Sequence, residues 1–161
     1  MRIGIVSDTH DNMPNVEKII DIFNASGVER VIHTGDISRV KTLTAMSRLM
    51  APLFGVYGNN DEERHDLERS ASLHGFHFTD PPLEMVWCER SILVVHDPRD
   101  LDKYLNGKHH LALFGHTHIK TIEFFANQLK FNPGECAGQL PNLNKVGIVN
   151  LHTLGVEMVY F

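Results

Sequence analysis

The chain has 161 residues, 42% of them apolar, and a formal net charge of −5. That length predicts one domain spanning residues 1–161, burying about two-thirds of the surface the unfolded chain exposes, and the composition excludes a disordered, collagenous or coiled-coil protein. The acidic balance offers no nucleic-acid footprint, no apolar run approaches the roughly 20 residues of a membrane helix, and the first residues lack the apolar segment of a signal peptide, so a cytoplasmic protein is expected.

Ile3-Gly4-Ile5-Val6 is a short apolar run suited to a strand buried on both faces. Val16, Ile19, Ile20 and Phe23 recur at helical spacing, with Pro14 near the start and Ser26-Gly27 at the end, and predict an amphipathic helix. A strand at Val31-Ile32-His33 follows, then a helix with Val40, Leu43, Met46, Leu49 and Met50 on its apolar face, then a third strand, Pro52 to Val56. The charged stretch from Asp61 to Ser70 has Leu67 as its one large apolar residue and predicts a surface turn or short helix. Leu83 to Cys88 and Ser91 to Val95, joined by Glu89-Arg90, read as a hairpin. A helix is expected over Asp100 to Leu105, closed by Asn106-Gly107, and a strand over Leu111 to Phe114. Thr121 to Phe125 and Leu129 to Phe131 form a second hairpin, and Val146 to Leu151 and Val156 to Tyr160 a last pair. The order is βαβαβ followed by antiparallel strands with one helix. It predicts an α/β protein of four layers, two mixed sheets packed face to face with helices outside.

The polar residues are not scattered over these elements. The first strand ends in Ser7-Asp8-Thr9-His10, the second in Thr34-Gly35-Asp36, the third in Gly58-Asn59-Asn60-Asp61, the strand from Ser91 in His96-Asp97, and the strand from Leu111 in Gly115-His116-Thr117-His118. Ligands of α/β folds bind at that edge of the sheet. Glycine precedes the polar residue in three of the five turns, which lets the chain bend sharply. A single Gly-Asp or Asp-x-His turn is commonplace, since Asp and Thr also cap helices. Two Asp, four His and one Asn in five separate strand-end turns are not. Carboxylate, imidazole and amide oxygen suit borderline divalent metals. Seven such groups are too many for one ion with an open position, and they suit two ions about 3.5–4 Å apart with a bridging carboxylate. The two cysteines, Cys88 and Cys136, are too few for a disulfide framework or a cysteine-only zinc site.

Asp8-Thr9-His10, Gly35-Asp36, Gly58-Asn59-Asn60-Asp61, His96 and Gly115-His116-Thr117-His118, in that order, resemble the signature of the calcineurin-like metallophosphoesterases. The short length and the early Gly58-Asn59-Asn60-Asp61 resemble the small YfcE-like phosphodiesterase branch, itself similar to the retromer-subunit fold. The resemblance implies that Asp8, His10, Asp36 and His118 hold one metal and Asp36, Asn59, His96 and His116 the other. It also implies that Asp36, Asn60 and His116 are catalytic, and that Asn59 and Asn60 meet the substrate. A hydroxide between two divalent ions would then attack phosphorus in line. Mn2+ is the first choice of metal, with Ni2+, Mg2+, Fe2+, Co2+ and Zn2+ as the others, and a small phosphodiester is the expected substrate.

Three positions depart from the family pattern. Asn60 stands where larger members carry His, and an amide cannot protonate a leaving group near neutral pH. Asp97 stands where Gly is usual, and it either orients His96 or caps the segment after Pro98. Asn132-Pro133-Gly134-Glu135 has Glu135 in place of Ser, and a carboxylate facing the site would repel a strongly anionic monoester. The remaining histidines are given no chemistry: His33 is expected to be packed, and His109 and His110 to face solvent. Arg39 and Arg99 each follow a motif turn, where they meet a phosphate or a surface acid. Cys136 is expected to be a buried, unreactive thiol. The rival reading is a non-catalytic interaction scaffold of the same fold. The C-terminal strands offer an edge on which a homodimer or higher homo-oligomer could form.

Overall fold

The computed structural model describes residues 1–139 and 143–161. Its strands are β1 (Arg2–Val6), β2 (Arg30–His33), β3 (Leu53–Val56), β4 (His77–Thr79), β5 (Leu83–Trp87), β6 (Arg90–Val94), β7 (Leu111–Leu113), β8 (Thr121–Phe125), β9 (Gln128–Asn132), β10 (Lys145–Asn150) and β11 (Gly155–Tyr160). Its helices are α1 (Met13–Ser26), α2 (Val40–Met46), α3 (Arg64–Leu73) and α4 (Leu101–Tyr104), the last preceded by a 3-10 turn at Pro98–Asp100. Six strands form one sheet in the order β11-β10-β1-β2-β3-β4, and five form the other in the order β5-β6-β7-β9-β8. No helix among the described residues is long and apolar enough to cross a membrane.

The period of two along each strand sorts its residues between layers. In β1, Ile3 and Ile5 point between the sheets, where they meet Ile92, Val94, Leu111, Leu113 and Phe131. Val6 points outward, to the helix side of the sheet with Val16, Ile19, Ile20 and Phe23 of α1. Gly4 shares that outer face, and a Cβ there would come within 2.7 Å of the Phe23 ring, so the missing side chain admits the helix. Leu93, Val95, Ala112 and Phe114 cover the outer face of the second sheet together with Leu101, Tyr104 and Leu105. The four expected layers, helix, sheet, sheet, helix, are therefore present. Each fully buried Ile, Leu or Phe contributes about 1.5–3 kcal/mol. Asn12 caps α1 by accepting from Asn15 N at 3.2 Å, and Gly27 ends it at φ 61°.

Three expectations need correction. First, the back half is not simply antiparallel: β6 pairs parallel with β7, and β7 with β9. The segment carrying α4 makes the crossover that parallel strands require. Second, β4 lies parallel beside β3, a strand that its three residues do not announce; its identity comes from the neighbour it pairs with. Third, α2 stops at Met46, so Leu49 and Met50 fall outside it and Met50 is 79% exposed. The consequence for function is geometric. β1, β2 and β3 are parallel, as are β6 and β7, so all five motif turns leave along one edge of the sandwich.

Candidate metal centre

The turns at that edge hold an unusual backbone. Asp8, His10, Asp36, His116 and His118 have φ of 51°, 41°, 59°, 66° and 57°. Left-handed backbone costs about 1–2 kcal/mol per residue outside glycine and persists where its surroundings over-determine it. Here those surroundings are visible. Asp8 N donates to Gly35 O at 3.0 Å, His10 N to Asp36 O at 3.1 Å, and Gly115 N to His96 O at 3.0 Å. The Asp61 carboxylate gathers three more backbone donors: Asp36 N at 3.1 Å, Gly58 N at 2.7 Å and Ser38 N at 2.6 Å. The motif glycines serve two purposes. Gly35 sits at φ 107°, whereas at Gly58 and Gly115 a Cβ would overlap Asp36 Oδ1 and Ser7 Oγ respectively.

The turns bring all seven predicted side chains together. Donor atoms of Asp8, His10 and His118 lie within 4.8 Å of one another, and so do those of Asp36, His96 and His116. Asp36 stands between the groups, with Oδ1 3.3 Å from His96 Nε2 and Oδ2 3.4 Å from His10 Nε2. Asn59 Oδ1 lies 3.0 Å from His96 Nε2 and 2.9 Å from His116 Nδ1, completing the second group. In the first, His118 Nε2 is 3.6 Å from Asp8 Oδ1.

Hydrogen bonds behind these groups set which atoms face inward. His96 Nδ1 donates to Thr34 O at 2.9 Å, and His118 Nδ1 to Glu135 Oε2 at 3.0 Å, so each ring turns Nε2 to the centre, where it offers a lone pair when the ring is neutral. Asn60 donates twice to Asp36, through its backbone N at 2.9 Å and its Nδ2 at 2.8 Å. His116 N donates to both oxygens of Asp8 at 3.1 Å, and Ser7 Oγ donates to Asp8 Oδ2.

The electrostatics follow. Burial works against ionisation of Asp36, but the hydrogen bonds from His96 and Asn60 outweigh it and hold the carboxyl well below its ordinary range. Burial dominates at Asp8 and raises its pKa. Burial opposes charging of His96, yet the hydrogen bond and charge of Asp36 prevail and raise it. Buried His33 is pushed down to about 3; it accepts from Gly35 N at Nδ1 and meets Thr9 Oγ1 at Nε2, as a packed, neutral ring.

Three observations show that the residues fit divalent ions. Asp8 and Asp36 are at most 1% exposed, and among the described residues their ion-pair partners are all histidines. The buried His10 Nε2 makes no hydrogen bond. The donors are carboxylate, imidazole and one amide oxygen, without a thiolate, the set borderline divalent metals prefer.

The departures from the family pattern also find their places. Asp97 Oδ1 accepts from Arg99 N at 2.9 Å and caps the 3-10 turn; the Arg99 hydrogen bond holds its carboxyl down at about 2. Its nearest imidazole is His116, with Nε2 at 3.8 Å, rather than His96. Arg99 is thereby engaged by Asp97, while Arg39 is exposed and has no ion pair among the described residues. Glu135 is 1% exposed and turned onto the back of His118, away from the open cleft. His109 corrects an expectation. It is 5% exposed, because its Nδ1 accepts from Asn106 N at 3.2 Å and its Nε2 lies 3.5 Å from Glu84, which folds the ring inward. Cys136 is buried, and burial pushes its thiol up to about 12.

Asp61 and Glu135, both named in the motifs, have supporting roles that the sequence alone did not assign. Asp61 carried one signal, its place three residues after Gly58, the spacing of a side chain that closes its own turn. Glu135 carried none for its direction, since a partner 17 residues away decides where it points.

A family model for the calcineurin-like phosphoesterase superfamily domain matches residues 1–154. The chain is 34% identical over 154 residues to phosphodiesterase MJ0936 of Methanocaldococcus jannaschii, covering 93% of each protein. It is 25% identical over 151 residues to phosphodiesterase YfcE of Escherichia coli K12, covering 83% of this chain and 78% of the relative. Among solved structures, that of a novel archaeal phosphodiesterase superposes with a TM-score of 0.91 at 31% identity over all of both chains. A Vps29 single mutant from Entamoeba histolytica superposes with a TM-score of 0.70 at 18% identity, covering 100% and 99% of the two chains, a likeness of fold alone.

Proposed function

The chain belongs to the calcineurin-like phosphoesterase superfamily, and from that premise we propose that it hydrolyses small phosphodiesters with two divalent metal ions. The observation that carries this reading is the pair of donor groups joined through Asp36. Asp8, His10, Asp36 and His118 would hold one ion, and Asp36, Asn59, His96 and His116 the other. Mn2+ is taken as the first choice, with Ni2+, Mg2+, Fe2+, Co2+ and Zn2+ as alternatives, since mixed nitrogen and oxygen donors accept all of these. Two such ions supply Lewis acidity, lowering the pKa of water and offsetting charge on the phosphoryl oxygens.

The residues contribute the rest. Asp36 stays ionised under its hydrogen bonds and reaches both groups. Tethering of His116 N to Asp8 keeps the two groups in register. Asn60 gives one Nδ2 hydrogen to Asp36 and has a second for a phosphoryl oxygen. It has no proton to give a departing alkoxide, so turnover should depend on good leaving groups. With Glu135 turned onto His118, repulsion of an anionic monoester loses its basis. The preference for diesters rests instead on relatives named phosphodiesterases. The rival reading, an interaction scaffold, has only the shared fold in its favour.

The test compares an activated aryl phosphodiester with the corresponding monoester in Mn2+. Diester turnover that is lost on chelation is expected. A metal-loaded protein inert toward the diester would overturn the reading.

A further inference from the structure

A cleft of about 450 Å3 opens beside the His96–His116 group, large enough for one substituent of a small phosphodiester. Its walls carry Tyr57, Arg64, Pro81 and Arg99 rather than aliphatic side chains. Arg64 lies over Tyr57, with its guanidinium carbon 3.8 Å from the ring centroid, and Tyr57 beneath it is 3% exposed. Its Nη1 also pairs with Asp80 Oδ1. Arg64 keeps 33% of its side chain exposed, so one face packs on the ring and the other is open to the cleft. Arg99, on the same wall, is paired with Asp97 through Nε and Nη2 and has no aromatic ring beneath it among the described residues.

Each guanidinium is thus paired with a carboxylate, Asp80 or Asp97, and Asp100 adds a further carboxylate to the lining, so the wall offers no net positive charge to a second anionic group. What it offers is a planar guanidinium, that of Arg64, backed by an aromatic ring. Guanidinium planes stack on aromatic rings and nucleobases, which reward flatness whatever their hydrogen-bonding pattern. An alkyl group gains little there.

We infer that Arg64, backed by Tyr57, is a specificity-determining residue that selects phosphate esters bearing a planar aromatic substituent, aryl or nucleobase, over alkyl esters. The inference rests on the phosphoesterase reading and names the substrate class of that site.

The experiment measures binding to the Mn2+-loaded protein by calorimetry, with methyl phosphate, phenyl phosphate and thymidine 5′-monophosphate as probes. All three carry one phosphate monoester of similar charge, so the substituent is the variable. Phenyl phosphate and the nucleotide should bind about tenfold more tightly than methyl phosphate. Arg64→Ala and Arg64→Lys should both abolish that preference and leave methyl phosphate within about twofold. The lysine variant keeps the charge without the plane and so tests flatness itself. Equal binding of methyl and aromatic probes to the unaltered protein would overturn the subsite alone. Parallel loss of all three probes in Arg64→Lys would assign Arg64 to anion binding or folding and overturn it too. No binding by any probe would overturn the phosphoesterase reading together with it.

Discussion

Replacing Glu135 separates the two halves of the metal centre. Its carboxylate lies 3.0 Å from His118 Nδ1 and almost wholly out of solvent, and so raises the donor strength of the opposite ring nitrogen. Glu135→Gln keeps an acceptor of the same shape and removes the charge. Hydrogen bonds to charged groups contribute about 1.5–3 kcal/mol against about 0.5–1.5 for neutral ones. The difference, about 1 kcal/mol, is about fivefold in a metal dissociation constant. Glu135→Ala removes the contact altogether and should cost about 10–100-fold. Calorimetric titration of Mn2+ into chelator-stripped protein reads both variants. The loss should fall on the position held by Asp8, His10 and His118 and leave the other unchanged. Equal weakening at both positions, or none in Glu135→Ala, would refute the argument that Glu135 acts through His118.

Further outcomes can be checked alongside. Asp36→Asn should abolish turnover and weaken both metal positions by more than about 100-fold, since its two oxygens face one histidine of each group. His109→Ala should leave metal content and turnover intact but lower Tm by about 3–8 °C, through loss of the buried ring and its contacts to Asn106 and Glu84; metal loss in this variant would contradict the assignment. Asn60→His should raise turnover of diesters with poor leaving groups, by up to about 10²–10⁴-fold, and change activated aryl diesters little; equal gains on both would show that proton donation is not what Asn60 lacks. A disulfide exchange reagent at pH 8 should titrate one thiol quickly, exposed Cys88, and reach buried Cys136 only on unfolding; two fast thiols would contradict the packing around Cys136.

The readable parts of this chain were those set by local pattern. The run Ile3 to Val6 is buried on both faces as a central strand should be, and the helical spacing of Val16, Ile19, Ile20 and Phe23 marks the face α1 buries. The candidate site was readable for a related reason: each of its seven side chains sits two to five residues past a strand end, and parallel strands deliver their ends to one edge. What could not be read depends on partners distant in sequence. The strand β4 exists because β3 offers it an open edge. Strand direction in the second sheet follows from where the α4 segment crosses over, which no periodicity records. His109 turns inward onto Glu84, and Glu135 turns back onto His118, through contacts that residue type alone does not specify. Asp97 is the intermediate case: the cap it forms was one of two local alternatives, decided by Arg99 two residues on.

The proposed chemistry needs two ions acting in one site. Chelator-stripped protein titrated with Mn2+, while hydrolysis of an activated aryl phosphodiester is followed, puts that claim to one measurement. The rate should rise from background and level off at two equivalents of metal per chain. A plateau at one equivalent, or no turnover at any loading, would contradict it.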